Sequence, residues 1–171
     1  AELQNVDGYT GLLAEPVPVV NTTTGLSEPA IQFVGIDAER SQGLPDVIDA
    51  SSGDELSLDD LQGSEVYLNE SAADELDAAA GDMLTVYVQN EPHEYTVKAV
   101  VRDTLLSGAL TFEAPEGMAA PWPEVSELFA EDEVTLVLVS ATGGVRDSLA
   151  AGPAAEAEIE QLIEGNELRM E

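Results

Sequence analysis

Residues suited to covalent or acid–base catalysis are few in this sequence. Histidine occurs once, as His93 in the segment NEPHEY, and lysine occurs once, as Lys98. Nucleophilic catalysis needs a base beside the nucleophile, and the sequence contains neither a Gly-x-Ser-x-Gly elbow nor an S-x-x-K spacing. We therefore expect His93 to be a solvated turn residue and not a catalytic base.

Carboxylates are abundant, because 35 Asp and Glu residues stand against 5 Lys and Arg. Neighbours such as Asp59 and Asp60, or residues 131–133, would work as an acid–base pair only in a concave, partly desolvated setting. Residues 51–60 could offer oxygen ligands to Ca²⁺, but the spacing of a calcium-binding loop is missing. We predict no catalytic, cofactor-binding or metal-binding residues. An acidic hydrolase is the last of three hypotheses for the function of this chain, and the first two follow below.

Length and charge narrow the possible partners. A chain of 171 residues that is 44% apolar is expected to fold. Its formal charge of -30 repels nucleic-acid phosphates and anionic lipid headgroups. This acidity suits a salt-rich habitat, in which case the melting temperature should rise clearly from low to molar KCl. The single lysine, Lys98, beside four arginines is equally typical of a GC-rich genome. The chain has no cysteine, and its longest apolar run, VTLVLVSA at residues 134–141, is shorter than the roughly 20 residues of a membrane-spanning helix. Because the sequence starts without methionine, we expect an excised fragment.

The periodicity of hydrophobic residues predicts the strands and helices of the first part of the chain. Residues 16–21, PVPVVN, are predicted to form a short edge strand because proline cannot donate to a ladder. A strand over residues 30–37 has apolar side chains on both faces, with Ile31, Phe33 and Gly35 on one and Val34 and Ile36 on the other. Residues 38–63 are predicted to be rich in loops, with a brief helix that starts at Ser57.

The central part of the sequence gives sharper signals. A short strand, EVYL, leads to Asn69, which is predicted to cap a helix that Gly81 ends. Residues 84–88 and 95–101 alternate between apolar and polar types and predict a half-buried antiparallel hairpin with a turn at residues 89–94. Further on, we predict a helix at residues 124–130, a central strand at 133–141 covered on both sides, and a final amphipathic helix at 153–164.

Residues 65–103 resemble the extracytoplasmic core domain of MacB/FtsX-like ABC transporter permeases. In that family a strand, an N-x-x-x-A-x-x-L helix, a GD-x-L-x-V strand and a Y-x-V strand follow in this order. The positions that match are Asn69, Ala73, Leu76, Gly81, Asp82, Leu84, Val86, Tyr95 and Val97. Of these we single out Asn69, Gly81, Asp82, Tyr95 and Val97 as the structural motif. Weaker similarity extends the match to about residues 17–163.

The resemblance implies a non-catalytic domain on the extracytoplasmic side of the cell membrane. It would relay ATP-driven conformational change to a substrate or partner, and it would need no cofactor. Implied partners are a cytoplasmic ATPase subunit and the membrane helices of the parent permease, with a second permease copy and an extracytoplasmic protein as further candidates. A free-standing extracellular binding module of a salt-adapted organism is the alternative.

The fold class that we predict is α+β, with mixed small sheets and packed helices in a single domain. The domain is expected to contain two interleaved subdomains. A helix-plus-strand layer near the membrane would combine residues 17–37 with 104–165, and residues 38–103 would form the part rich in β-structure.

Overall fold

A computed structural model describes residues 6–37, 47–111, 115–130 and 134–141, together with position 157. The described residues contain nine strands and two α-helices. The strands are β1 Val6–Asn21, β2 Ser27–Ile36, β3 Val47–Ile48, β4 Glu55–Leu56, β5 Glu65–Asn69, β6 Met83–Val88, β7 Glu91–Val101, β8 Gly117–Pro121 and β9 Leu136–Ala141. The helices are α1 Glu70–Leu76 and α2 Trp122–Phe129. Single 3-10 turns lie at Leu58–Asp60 and Leu105–Ser107.

Seven of the strands form one mixed sheet in the order β2-β8-β5-β7-β6-β1-β9, and β1 also pairs with β2. The strands β1, β2, β8, β5, β7 and β6 therefore close into a ring of hydrogen-bonded neighbours. β9 continues the sheet beside the first half of β1. A closed ring leaves no long unpaired edge in the middle of the domain, so this part of the fold is well suited to be a rigid body.

The predicted edge strand at residues 16–21 is wrong, because this segment is the second half of the long strand β1. β1 pairs with β2 on one side and with β9 and β6 on the other. Prolines are tolerated there because the second side has no ladder partner between Leu12 and Val19 among the described residues. Ala14 donates its N–H to Thr135 Oγ1 at 2.8 Å on this side, and Pro16, which faces the same way, has no N–H to satisfy. Pro18 lies in a β-bulge.

The second half of β2 is buried on both faces, as predicted. Ile31 and Phe33 contribute to one core, which α1 and α2 cover, and Val34 and Ile36 contribute to a second core on the opposite face. Gly35 lets α2 approach the sheet closely, because a Cβ at this position would stand 2.8 Å from Val125 Cβ. α2 is therefore held directly on the strand surface.

The strand, helix and hairpin of the central motif are confirmed, with a shorter helix and longer strands than predicted. α1 starts after Asn69 as predicted, but it ends at Leu76 because Asp77 adopts a left-handed conformation with φ 45°. Gly81, with φ 94°, belongs to the following turn. The β6–β7 turn contains Gln89 and Asn90 with positive φ, a backbone that suits a two-residue hairpin. His93 is therefore in β7, opposite Val86, and the prediction of a turn histidine is wrong.

The prediction for residues 133–141 is wrong in its burial. β9 pairs with β1 alone among the described residues, and Val137 is 58% exposed. The apolar sequence of β9 does not make it a central strand, because the strands that pair with it depend on the fold of the whole chain.

The described part of the chain is a mixed, sheet-rich α+β domain. The predicted emphasis on packed helices is not confirmed, since α1 and α2 have 7 and 8 residues. The seven-stranded sheet takes strands from both predicted subdomains, and that division stays a prediction. Residues 131–133 and the predicted helix at 153–164 lie outside the described residues, except for Ala157, which is helical.

Candidate functional site

The predicted motif residues Gly81, Asp82 and Val97 meet in one backbone junction. Gly81 donates its N–H to Val97 O at 2.8 Å, and Val97 donates its N–H to Asp82 O at 2.9 Å. The positive φ of Gly81 makes this arrangement accessible. The side chain of Val97 is buried in the core. These contacts fix the point at which the turn after α1 enters the β6–β7 hairpin.

The Asp82 carboxylate strengthens the same junction. Its Oδ2 accepts hydrogen bonds from Ala79 N at 2.9 Å and from Asn21 Nδ2 at 3.3 Å. The bond from the Ala79 backbone is the main reason that the pKa of Asp82 is lowered. Asn21, which is fully buried, also donates to Leu76 O at 3.2 Å. The carboxylate therefore ties the end of β1 to the turn that follows α1, and it has a structural role.

Asn69 connects three segments from a fully buried position. Its Oδ1 accepts from Ala72 N at 2.9 Å and from Gly117 N at 3.0 Å, and its Nδ2 donates to Pro115 O at 2.6 Å. The side chain caps α1 and also holds the start of β8. An N-cap was expected at this position, but the link to β8 depends on long-range topology and has no local sequence signal.

The ring of Tyr95 lies in the core, and its hydroxyl reaches a side chain of α2. Its ring makes an edge-to-face contact with Phe33 at 5.4 Å, and the hydroxyl donates to Glu124 Oε1 at 3.3 Å. Burial, with the nearby Glu124 carboxylate, raises the pKa of Tyr95 far above its ordinary value. The residue therefore keeps its proton at neutral pH and serves to anchor α2.

Other candidates for chemistry do not converge in the described part of the chain. Lys98 pairs with Glu65 at 3.2 Å on the surface. Asp49 accepts hydrogen bonds from Ser51 and Ser52, and this turn begins the segment considered for Ca²⁺. Within the described residues, no three His, Asp or Glu side chains are grouped closely enough to hold a metal ion. The hydrogen bonds and packing of the motif residues thus make them parts of the scaffold.

Two open depressions adjoin each other beside the β6–β7 hairpin, and both are lined by Tyr87. The larger, of about 1000 Å³, lies between the hairpin and α2 and includes Glu94, Glu124 and Glu127. The smaller, of about 480 Å³, lies between the hairpin turn and the proline-containing part of β1. This surface was not predicted, because it combines three segments that are distant in sequence.

The second surface feature is the end of the sheet formed by β1 and β9. Val6 pairs with Ala141 and Tyr9 pairs with Val139. Tyr9 and Val137 are each 58% exposed. Val134 packs on Gly11, where a Cβ would stand 2.7 Å from Val134 Cγ2. This end of the sheet is therefore apolar, and both directions of the chain leave the described sheet there. Among the described residues, none of the helices is long and apolar enough to cross a bilayer.

Comparison with solved structures identifies the same fold in transporter domains. One is the extracellular domain of a noncanonic ABC-type transporter, YknZ from Gram-positive bacteria. The alignment covers 92% of this chain and 79% of the YknZ chain, with a TM-score of 0.56 and 11% sequence identity. Another is the periplasmic region of MacB from Actinobacillus actinomycetemcomitans. That alignment covers 93% of this chain and 68% of the MacB chain, with a TM-score of 0.54 and 18% sequence identity. No protein-family model matches the sequence, and no curated protein is significantly similar to it. The resemblance noted from residues 65–103 is thus confirmed at the level of the fold.

Proposed function

We propose that this chain is a non-catalytic extracytoplasmic domain of an ABC transporter permease. It passes on a conformational change that ATP binding and hydrolysis produce on the other side of the membrane. The observation that carries the proposal is the pairing of Val6 with Ala141 at one end of the sheet. A domain inserted between two membrane helices needs entry and exit points that lie close together. The fold shared with MacB and YknZ domains supports the same conclusion.

The closed ring of strands explains how such a domain could transmit movement. The ring buries apolar residues on both faces, and the hydrogen bonds of Asn69 and Asp82 connect its helices and turns to the strands. Densely packed elements of this kind move as one body and do not deform continuously. Movement of the chain ends would therefore be passed through β1 and β9 to the hairpin and α2.

Hydrogen–deuterium exchange of the parent transporter tests this function. The measurement compares the nucleotide-free transporter with an ATP-bound, hydrolysis-deficient form. We expect exchange to change at residues 6–12 and 136–141, where motion enters the domain, and to stay unchanged in β5 and α1, which lie in the rigid body. Identical exchange at residues 6–12 and 136–141 in the two states would contradict a relay.

A further inference from the structure

We propose that the two depressions beside the β6–β7 hairpin form one docking groove for an extended, lysine- or arginine-bearing segment of a partner protein. The groove, as named here, is lined by residues of β1, the hairpin and α2, with Tyr87 shared by both depressions. The inference goes beyond the proposed function, on which it rests for its cellular setting, by specifying the chemistry of the partner.

Part of the groove lining is apolar. Tyr87 is 39% exposed, and Pro16, Pro18 and Pro92 offer further apolar surface beside it. Tyrosine and proline surfaces of this kind bind extended segments at a low cost in side-chain entropy. Leu128 and Phe129 of α2 add two further apolar side chains to the lining.

The rim of the groove is acidic. Glu94, Glu124 and Glu127 line the larger depression, and its lining contains neither lysine nor arginine. The hydrogen bond from Tyr95 fixes the position of the Glu124 carboxylate. A cationic segment would be attracted to this rim, whereas a second copy of this chain, with its charge of -30, would be repelled. Charge therefore selects a basic partner.

Shape and backbone chemistry favour recognition through side chains. Both depressions are wide and open, so they suit a chain segment that crosses the surface and not an enclosed small molecule. Strand addition is disfavoured because prolines occupy the open side of β1 and lack the N–H groups that a new ladder requires. An extended segment would instead lay apolar residues on Tyr87 and direct its cations to the glutamates.

The test is a titration of the 171-residue chain, followed by ¹H–¹⁵N NMR, with a short proline-rich peptide that carries several lysines. Two control peptides have each lysine replaced by glutamine or by glutamate. We expect the lysine peptide to shift resonances around Tyr87 and Glu127, the glutamine peptide to bind more weakly, and the glutamate peptide not to bind. Equal binding of the lysine and glutamine peptides, or no binding of either, would overturn the proposal.

Paired variants separate the groove from general acidity. Glu94→Gln/Glu127→Gln is expected to weaken binding by about fivefold, and Tyr87→Ser by about tenfold. The matched controls Glu70→Gln/Glu75→Gln and Tyr9→Ser change exposed residues outside the groove and should leave the affinity unchanged. Equal losses in the groove and control variants would show diffuse attraction and overturn the proposal. A negative binding result would not bear on the hydrogen–deuterium exchange test of the relay. A negative exchange result would likewise not bear on peptide binding in the groove.

Discussion

Val6 and Ala141 are register partners in the antiparallel pair of β1 and β9, so the outermost described residues of the sheet lie side by side. Paired residues of this kind have Cα atoms about 4.5–5.5 Å apart. Between them the chain builds the whole ring of strands. The arrangement places the two outer ends of β1 and β9 at one base of the sheet, and the proposed relay requires that base.

A disulfide at this base tests the register directly, because the native chain has no cysteine. The variant Tyr9→Cys/Val139→Cys places cysteines at partner positions, and we expect it to oxidise readily within the monomer. Closing so long a loop should raise stability by up to about 4 kcal/mol, measured as a difference in melting temperature with and without reductant. The offset pair Tyr9→Cys/Val137→Cys should form the bond poorly, and the opposite preference would mean that the register is wrong.

Asn69→Ala should be among the more destabilising single changes in the scaffold. It removes three hydrogen bonds and leaves the buried N–H groups of Ala72 and Gly117, and the partly buried carbonyl of Pro115, without their partner. We expect a loss of about 2–4 kcal/mol in the free energy of unfolding, measured by urea denaturation. Glu75→Ala, on the exposed side of α1, is the control and should change stability by less than about 0.5 kcal/mol. A similar result for the two variants would show that Asn69 does not join these segments.

Asp82→Asn should show a pH-dependent loss of stability. The folded state lowers the pKa of Asp82 below the unfolded value of about 3.9. The ionised carboxylate therefore adds stability above that pH, and the contribution is lost as the pH falls through the folded-state pKa. We expect the variant to melt about 2–4 °C lower at neutral pH and the difference to shrink in acid.

The control for Asp82 must remove the same charge elsewhere, because any lost carboxylate relieves repulsion in so acidic a chain. Asp74→Asn, exposed on α1, meets this need. If both variants melt alike at neutral pH, the hydrogen bonds at the junction contribute nothing measurable.

Local patterns predicted the parts of the fold that depend on neighbouring residues. The two-faced strand around Phe33, the cap at Asn69 and the hairpin ending at Val101 follow from side-chain alternation, capping chemistry and turn propensity. These signals operate within a few residues, and the structure confirms them with adjusted boundaries.

Features that depend on distant segments were missed. The apolar run of β9 is typical of a central strand, but its position beside β1 is decided by pairing across more than half of the chain. The prolines of β1 suggested an edge, and the gap that accommodates them exists because β9 and β6 stop short of each other on the same side. The groove at Tyr87 likewise requires β1, the hairpin and α2 to come together.

Cysteine labelling shows directly on which side of the membrane this domain lies. The variant Glu75→Cys places a single cysteine at an exposed position of α1. Intact cells that express the parent permease with this variant are treated with a membrane-impermeant maleimide. A cysteine in the cytoplasmic ATPase subunit serves as the control for cell integrity. We predict labelling of position 75 without lysis and of the control after lysis alone. Labelling of position 75 that requires lysis would contradict an extracytoplasmic relay.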